Sequence, residues 1–453
     1  MTTLSQHLGN FIHALDARRM PAEVVEKARV CLLNGYGMGL DCHRTPYAPV
    51  ARAAALAMDG EQPRGASMLG DGRKTSIGGA CLANSALFHG RAQEDTCGAA
   101  HFGTILIPML TALLEVRKYP IERLLVALIS GYEAGGLLEK VYAGHTTPSG
   151  LRASTVYGAV AASAAAAKLL ALDAEHTTAA LANAVSFSGG LLQSFTDGTD
   201  EWRYQVGMVA KTGWTAAELA RAGSVSAPYA FEGKAGFVRT FARCDCDVSA
   251  LVKRLGNDWA VLRVTFKPYP VCAFNQTPVT AGLGLREKLG GTELKTVRVR
   301  MNPYETGYAG MDAVGPFNSV SGTLMSIPFC IATTLVYGVP DMKRMTTYDD
   351  AKVNDLVGRI TLISDAAVPT LSCIIEADTA DGRTVTQHQT MTTADFAYDR
   401  AGVSRLVRRI GLEEDVPAAA FDRIEAFVDR LPRASIDDVI DAFALIAPNR
   451  QAA

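Results

Sequence analysis

An excess of charge of either sign is missing from this 453-residue chain: 44 Lys and Arg stand against 46 Asp and Glu, for a formal net charge of −2. Neither sign forms a long block, which argues against a general nucleic-acid binder or a membrane-surface protein and leaves no nucleic acid and no membrane among the expected partners. Paired cysteine spacing is missing too. The nine cysteines are odd in number and scattered, as for reduced thiols in a cytoplasm rather than a disulfide frame. The one close pair, Cys244-Asp-Cys246, has no histidine or second pair beside it in sequence to complete a zinc site. His-x-x-x-His spacing, Gly-x-Gly-x-x-Gly and a phosphate-binding lysine loop are all absent, so no metal and no organic cofactor is expected. The opening residues, Met1-Thr-Thr-Leu-Ser-Gln-His-Leu, lack the basic start and apolar core of a signal peptide, and the expected location is cytoplasmic. The most apolar long run, 156–172, is mainly alanine and carries Lys168, which reads as a tightly packed internal helix rather than a bilayer span.

What is present is an ordinary globular composition, 48% hydrophobic and 20% charged, in a chain long enough for two or three domains. Up to about residue 266 the pattern is helix after helix. Segments 4–15, 23–38, 76–92, 104–116, 121–138, 155–172, 176–188 and 206–221 place apolar residues at helical spacing, and Pro21-Ala-Glu-Val-Val is a typical helix opening. Frequent alanine and glycine allow close packing of helix axes. The period then changes. Thr296-Val-Arg-Val-Arg-Met and Leu371-Ser-Cys-Ile-Ile-Glu-Ala alternate with period two, and Asp381-Gly382 sits where a hairpin turn toward Thr384-Val-Thr-Gln-His belongs. Helices are expected at 321–337 and 348–359, and again at 403–410, 418–430 and 436–445. The expected fold is therefore mainly α: an all-helical bundle domain from both chain ends, 1–267 and 403–453, with a smaller α+β domain, 268–402, inserted between them.

The change of pattern falls at Lys267-Pro-Tyr-Pro-Val-Cys272-Ala-Phe-Asn-Gln276. Pro268 and Pro270 fix their own φ and keep Lys267 and Tyr269 out of helical geometry, so a cation sits on stiff backbone at the expected end of a long helical region. Such a lysine serves as an acid, a base or an anion clamp, or it is only a solvated residue at a domain-entry turn. Its company favours a role in chemistry: Asp95-Thr96 and His101 upstream, Arg152 at the head of the alanine-rich helix, and Trp202-Arg203 before another helix. Several cationic and proton-transferring groups point to an anionic substrate.

In order and spacing these landmarks resemble the MmgE/PrpD family, which includes 2-methylcitrate dehydratase, cis-aconitate decarboxylase and iminodisuccinate epimerase. The resemblance runs over nearly the whole chain, through Pro21-Ala-Glu-Val-Val-Glu-Lys-Ala, the stretch from His89 to Thr96, Val206-Gly-Met-Val-Ala-Lys-Thr-Gly213, Lys267-Pro-Tyr-Pro, Ser326-Ile-Pro-Phe-Cys and Asp381-Gly-Arg. It implies the two-domain fold with the active site at the domain interface, homodimers, no cofactor, and small di- and tricarboxylate substrates that lose a proton or CO₂ beside a carboxylate.

Several family positions have changed. Many relatives carry Ala-His-x-x-Asp-Phe-Asp-Asp-Thr where this chain has Phe88-His-Gly-Arg-Ala92-Gln-Glu94-Asp95-Thr96, so the first aspartate is Ala92 here. His101 matches a family histidine after a one-residue gap. A second family histidine falls on Arg152 and a family lysine on Trp202, with Arg203 adjacent. Lys267 is kept, and a histidine often found after it falls on Gln276 or Asn275. Arginine in place of histidine exchanges a group that titrates near neutrality for a permanent carboxylate clamp. The expected assignment makes Lys267, His101 and Asp95 catalytic: Lys267 stabilises an enediolate or acts as base, His101 is acid or second base, and Asp95 orients it. Thr96, Arg152, Arg203 and Gln276 bind a small polycarboxylate. The outcome is β-elimination by a lyase or epimerisation by an isomerase. An inactive carboxylate-binding relative, a purely structural dimer, and a thiol hydrolase using Cys272 with His101 are the rivals.

Overall fold

The computed structural model describes residues 2–448. It is mainly helical, with one small mixed sheet. Apolar side chains gather in two large clusters. The first draws on helices from Leu4–Ala14 to Glu201–Arg221 together with Arg400–Glu413, Ala418–Arg430 and Asp437–Ala444. At its centre Gly158–Leu169 packs against Arg123–Thr146 and Glu201–Arg221. Small side chains permit that closeness: a Cβ added at Gly213 would lie 2.3 Å from the Ala162 Cβ. Among the described residues no helix is long and apolar enough to cross a membrane.

The second cluster lies around the sheet. A two-residue hairpin, β1 (Ala66–Ser67) with β2 (Lys74–Thr75), stands apart within the helical region. The main sheet comprises β3 (Leu294–Met301), β4 (Ile360–Ser364), β5 (Ser372–Thr379) and β6 (Thr384–Thr390) in the order β4-β3-β5-β6. β3 and β4 run parallel, joined through the intervening helices, whereas β3–β5 and β5–β6 are antiparallel. Val297, Val299 and Met301 alternate into the core, as period-two patterning requires. Helix Gln276–Leu289 covers β5 and β6.

Three expectations need correction. No long helix leads into Lys267: it follows a short helical turn, Ala260–Arg263, and an isolated antiparallel bridge between Thr265 and Thr96. The expected helix at 76–92 ends at Phe88, and the chain turns through Ala92 at φ 55°. The span 321–337 is two helices, Val320–Met325 and Ile327–Tyr337, because Ser326 leaves helical geometry before Pro328 and caps the second helix through its hydroxyl.

Candidate active site

Lys267 is brought against the loop 89–101 by a short extended ladder. Thr96 N–H donates to Thr265 O and Thr265 N–H to Thr96 O, both at 2.9 Å, while the two hydroxyls meet at 2.7 Å. Beyond the turn at Ala92, both Ala92 and Glu94 face an inner cavity of about 50 Å³, which His89, His101, Trp202, Lys267 and Phe274 also line, whereas the Asp95 carboxyl turns away to Tyr132. Gly98 completes the bend at φ +61°, and a Cβ there would lie 2.1 Å from Glu139 Oε1, so only glycine fits.

Glu94 is the hub, and it is the residue that sequence reasoning missed. Lys267 Nζ donates to Glu94 Oε1 at 2.7 Å, with both residues buried. His101 Nδ1 lies 3.3 Å from the same oxygen and His89 Nδ1 3.1 Å from Oε2. Burial pushes the Glu94 carboxyl up, but Lys267 first and then the two histidines outweigh it and hold it well below the usual carboxylate range.

The hydrogen bonds fix both tautomers. Arginine only donates, so His89 Nε2, 2.7 Å from Arg152 Nη2, is the acceptor and Nδ1 carries the proton toward Glu94. His101 Nδ1 faces two acceptors, Glu94 Oε1 and the Asp95 carbonyl oxygen at 3.0 Å, and so carries the proton there. Its Nε2 keeps a lone pair with no protein partner among the described residues. Burial pushes His89 down to about 4 and moves His101 well below its ordinary value, with Lys267 reinforcing the effect at His101. Both imidazoles are neutral near pH 7, and His101, still partly exposed on the cavity wall, is the free base.

The other expected residues are distributed differently. Asp95 does orient His101, but through its main-chain carbonyl; its carboxyl accepts from Tyr132 OH at 2.5 Å and is raised by burial to about 6. Arg152 and Arg203 are not on the cavity wall. Arg152 donates to Trp202 O, to Gln205 Oε1 at 3.0 Å and to His89. Arg203 lies between Tyr47 and Trp202, 3.7 and 3.8 Å from their ring centres, and donates to Ser321 Oγ at 2.7 Å. Trp202 separates them from the cavity, its indole edge-on to His89. Gln276 ties the Pro-Tyr-Pro turn together, its amide donating to Tyr269 O and Val271 O. Thr96 and Gln276 line a second, outer chamber rather than the inner cavity. Cys272 is on the inner wall with its thiol raised by burial, which disfavours the thiolate a hydrolase needs.

The MmgE/PrpD N-terminal domain matches residues 6–246, just over half of the chain. The chain belongs to the MmgE/PrpD family. Among curated relatives, a cis-aconitate decarboxylase-like protein, oryM, of Aspergillus oryzae is 29% identical over 281 residues, which cover 58% of each chain. The cis-aconitate decarboxylase of Aspergillus terreus is 25% identical over 368 residues, covering 76% of this chain and 74% of the relative. This MmgE/PrpD member thus spans less than two thirds of the first of these relatives and about three quarters of the second.

Proposed function

We propose that this MmgE/PrpD chain is a lyase acting on a small carboxylic acid, and that it removes a proton from the carbon beside the carboxylate. The observation that carries this reading is the pairing, on one cavity wall, of a neutral histidine with a free Nε2 lone pair and a lysine with donors to spare. Lys267 has three N–H donors, of which Glu94 takes one. The others are free for a substrate carboxylate and for the charge that develops on it.

In the proposed step His101 Nε2 takes the α-proton. The C–H electron pair moves into an enediolate held by Lys267, where a fixed cation in a water-poor cavity is most effective. The pair then forms the C=C bond as the β-hydroxide leaves, and His101 returns its proton to it, so that water is released. The neutral resting state of His101 favours base-first chemistry over a decarboxylation that begins with a proton donor. Epimerisation needs a second base across the cavity. The nearest other imidazole, His89, has its Nε2 occupied by Arg152, which favours elimination.

Proton NMR in D₂O tests the reading with a panel of 2-methylcitrate, cis-aconitate, malate, aspartate, iminodisuccinate and 3-hydroxy acids. Deuterium entering beside a carboxylate, followed by alkene formation and lost in Lys267→Ala, is the expected result. Accumulation of the opposite stereoisomer indicates epimerisation instead. Thermal stabilisation by a compound that never exchanges indicates an inactive binding protein.

A further inference from the structure

The inner cavity, at about 50 Å³ against about 290 Å³ for the outer chamber, is the smaller of two adjoining spaces, and a long acid must extend beyond it. One wall that leads to more space is formed by Gly98, Ala99, Lys267, Ala273 and Phe274, which also bound the outer chamber of about 290 Å³. The outer chamber reaches the surface at Thr370 and Thr393, both exposed.

Its lining is unlike that of a polyanion site. Phe266, Phe274 and Phe396 supply apolar surface, and Tyr304 and Thr265 add hydroxyls. Its two cations are matched by two carboxylates, Glu139 and Glu305, with Lys267 at the junction with the inner cavity and Arg263 donating to Gly136 O and lying 3.8 Å from Glu139. Neither arginine behind Trp202 reaches either space. Two residues of the chamber wall, Arg263 and Glu305, each carry a buried polar atom without a partner among the described residues, and Glu305 is the more deeply buried. Glu305 is 1% exposed, and one of its carboxyl oxygens accepts from Leu371 N–H at 2.9 Å while the other, buried, has no partner among the described residues. An unpartnered buried carboxyl oxygen is costly unless something fills the role. Burial also raises this carboxyl to about 7, so it alternates between acceptor and donor near neutrality. A hydroxyl, which both donates and accepts, suits it in either state.

Resting on the reading of the inner cavity as the proton-abstracting site, we propose that the substrate is an elongated carboxylic acid rather than a compact tricarboxylate. One carboxylate lies at Lys267, and an uncharged tail occupies the outer chamber, where a hydroxyl meets Glu305.

Calorimetric binding and D₂O exchange on the full chain test this with citrate, 3-hydroxybutyrate, 3-hydroxyoctanoate and 3,8-dihydroxyoctanoate. The expected order of affinity has 3,8-dihydroxyoctanoate tightest, about tenfold above 3-hydroxyoctanoate, with 3-hydroxybutyrate and citrate weaker still. Glu305→Leu brings the ratio between the two eight-carbon acids close to one, while Glu305→Gln, which still donates and accepts, retains most of it. If Glu305→Leu fails to fold, the wild-type series and Glu305→Gln carry the test. Equal affinity along the series, or citrate binding tightest, overturns the proposal. Tail-dependent binding without deuterium exchange sustains it and removes the lyase reading; exchange with no tail dependence does the reverse.

Discussion

Two sets of buried cations flank the inner cavity, and their difference lies in what their donors do. On one side Arg152 and Arg203 give their hydrogen bonds to Trp202 O, Gln205, His89, Gly90 O and Ser321, with Trp202 standing between them and the cavity. On the other side Lys267 gives one bond to Glu94 and faces the open space. Both sides carry positive charge, and Arg203 Nη2 is itself without a hydrogen-bond partner among the described residues, but only Lys267 opens on the cavity. A buried charge is therefore a poor marker of a ligand site until the space its donors face is known.

The contrast is sharpest in the catalytic variants. His101→Asn removes the free lone pair and is expected to slow deuterium exchange about a thousandfold, within the range for a general base. Lys267→Met, combined with Glu94→Gln so that no lone carboxylate stays buried, is expected to cost a hundred- to a thousandfold, read in the same NMR assay. Arg152→Met acts in the opposite way. It orphans two buried acceptors and the half-buried Gln205 amide, and is expected to lower unfolding free energy by about 2–4 kcal/mol in urea titrations, while the KM for a small acid moves less than threefold. A tenfold rise in KM there breaks the comparison, since it gives Arg152 the clamp role.

Asp95 supplies a pH-dependent test of the same distinction between holding structure and doing chemistry. Its carboxyl is raised by burial from 3.8 to about 6, so the folded state binds the proton more tightly than the unfolded chain does. Stability from this group is present below about 4, is lost as pH rises through about 6, and is flat above that. Asp95→Asn is therefore expected to gain on the wild type across that window by on the order of 2–3 kcal/mol, followed by denaturant titration at several pH values. The smallest effect is local. Ala92→Gly relieves a left-handed conformation at φ 55° and is expected to add about 0.5–1 kcal/mol, measured as a rise in Tm.

Much of this was legible in the residues. The β3 and β5 alternation, the hairpin at Asp381-Gly382 and most of the helices follow directly from periodicity. Lys267 and His101 were found because a stiff turn and a family position drew attention to them. Glu94 was passed over because the flanking Asp95-Thr96 matched the family pattern better. No local pattern marks it: Ala92 sits in a left-handed turn and Thr96 lines the outer chamber, so Glu94 meets Lys267 through the Thr96–Thr265 bridge, made across more than 160 residues. The roles given to Arg152 and Arg203 failed for a related reason. Residue type reveals a charge, but only the fold reveals that Trp202 covers it and that backbone carbonyls take up its donors.

The loop that carries Glu94 is anchored from far along the chain. Arg91 donates to Glu413 at 3.0 Å and to Glu414, and Arg409 shares the Pro268 carbonyl with Gln93. These partners belong to helix Arg400–Glu413 and its cap, 322 residues beyond Arg91. At the usual pace of translation they leave the ribosome roughly 15–60 s after the loop does. Before then the loop and the Lys267 turn have only each other, through the Thr96–Thr265 ladder and the Glu94–Lys267 bond, and Arg91 lacks the carboxylates of Glu413 and Glu414. Completion of the bundle and of the Glu94 loop thus waits on the same late helix, which packs on Ala22–Asp41 and holds Arg91.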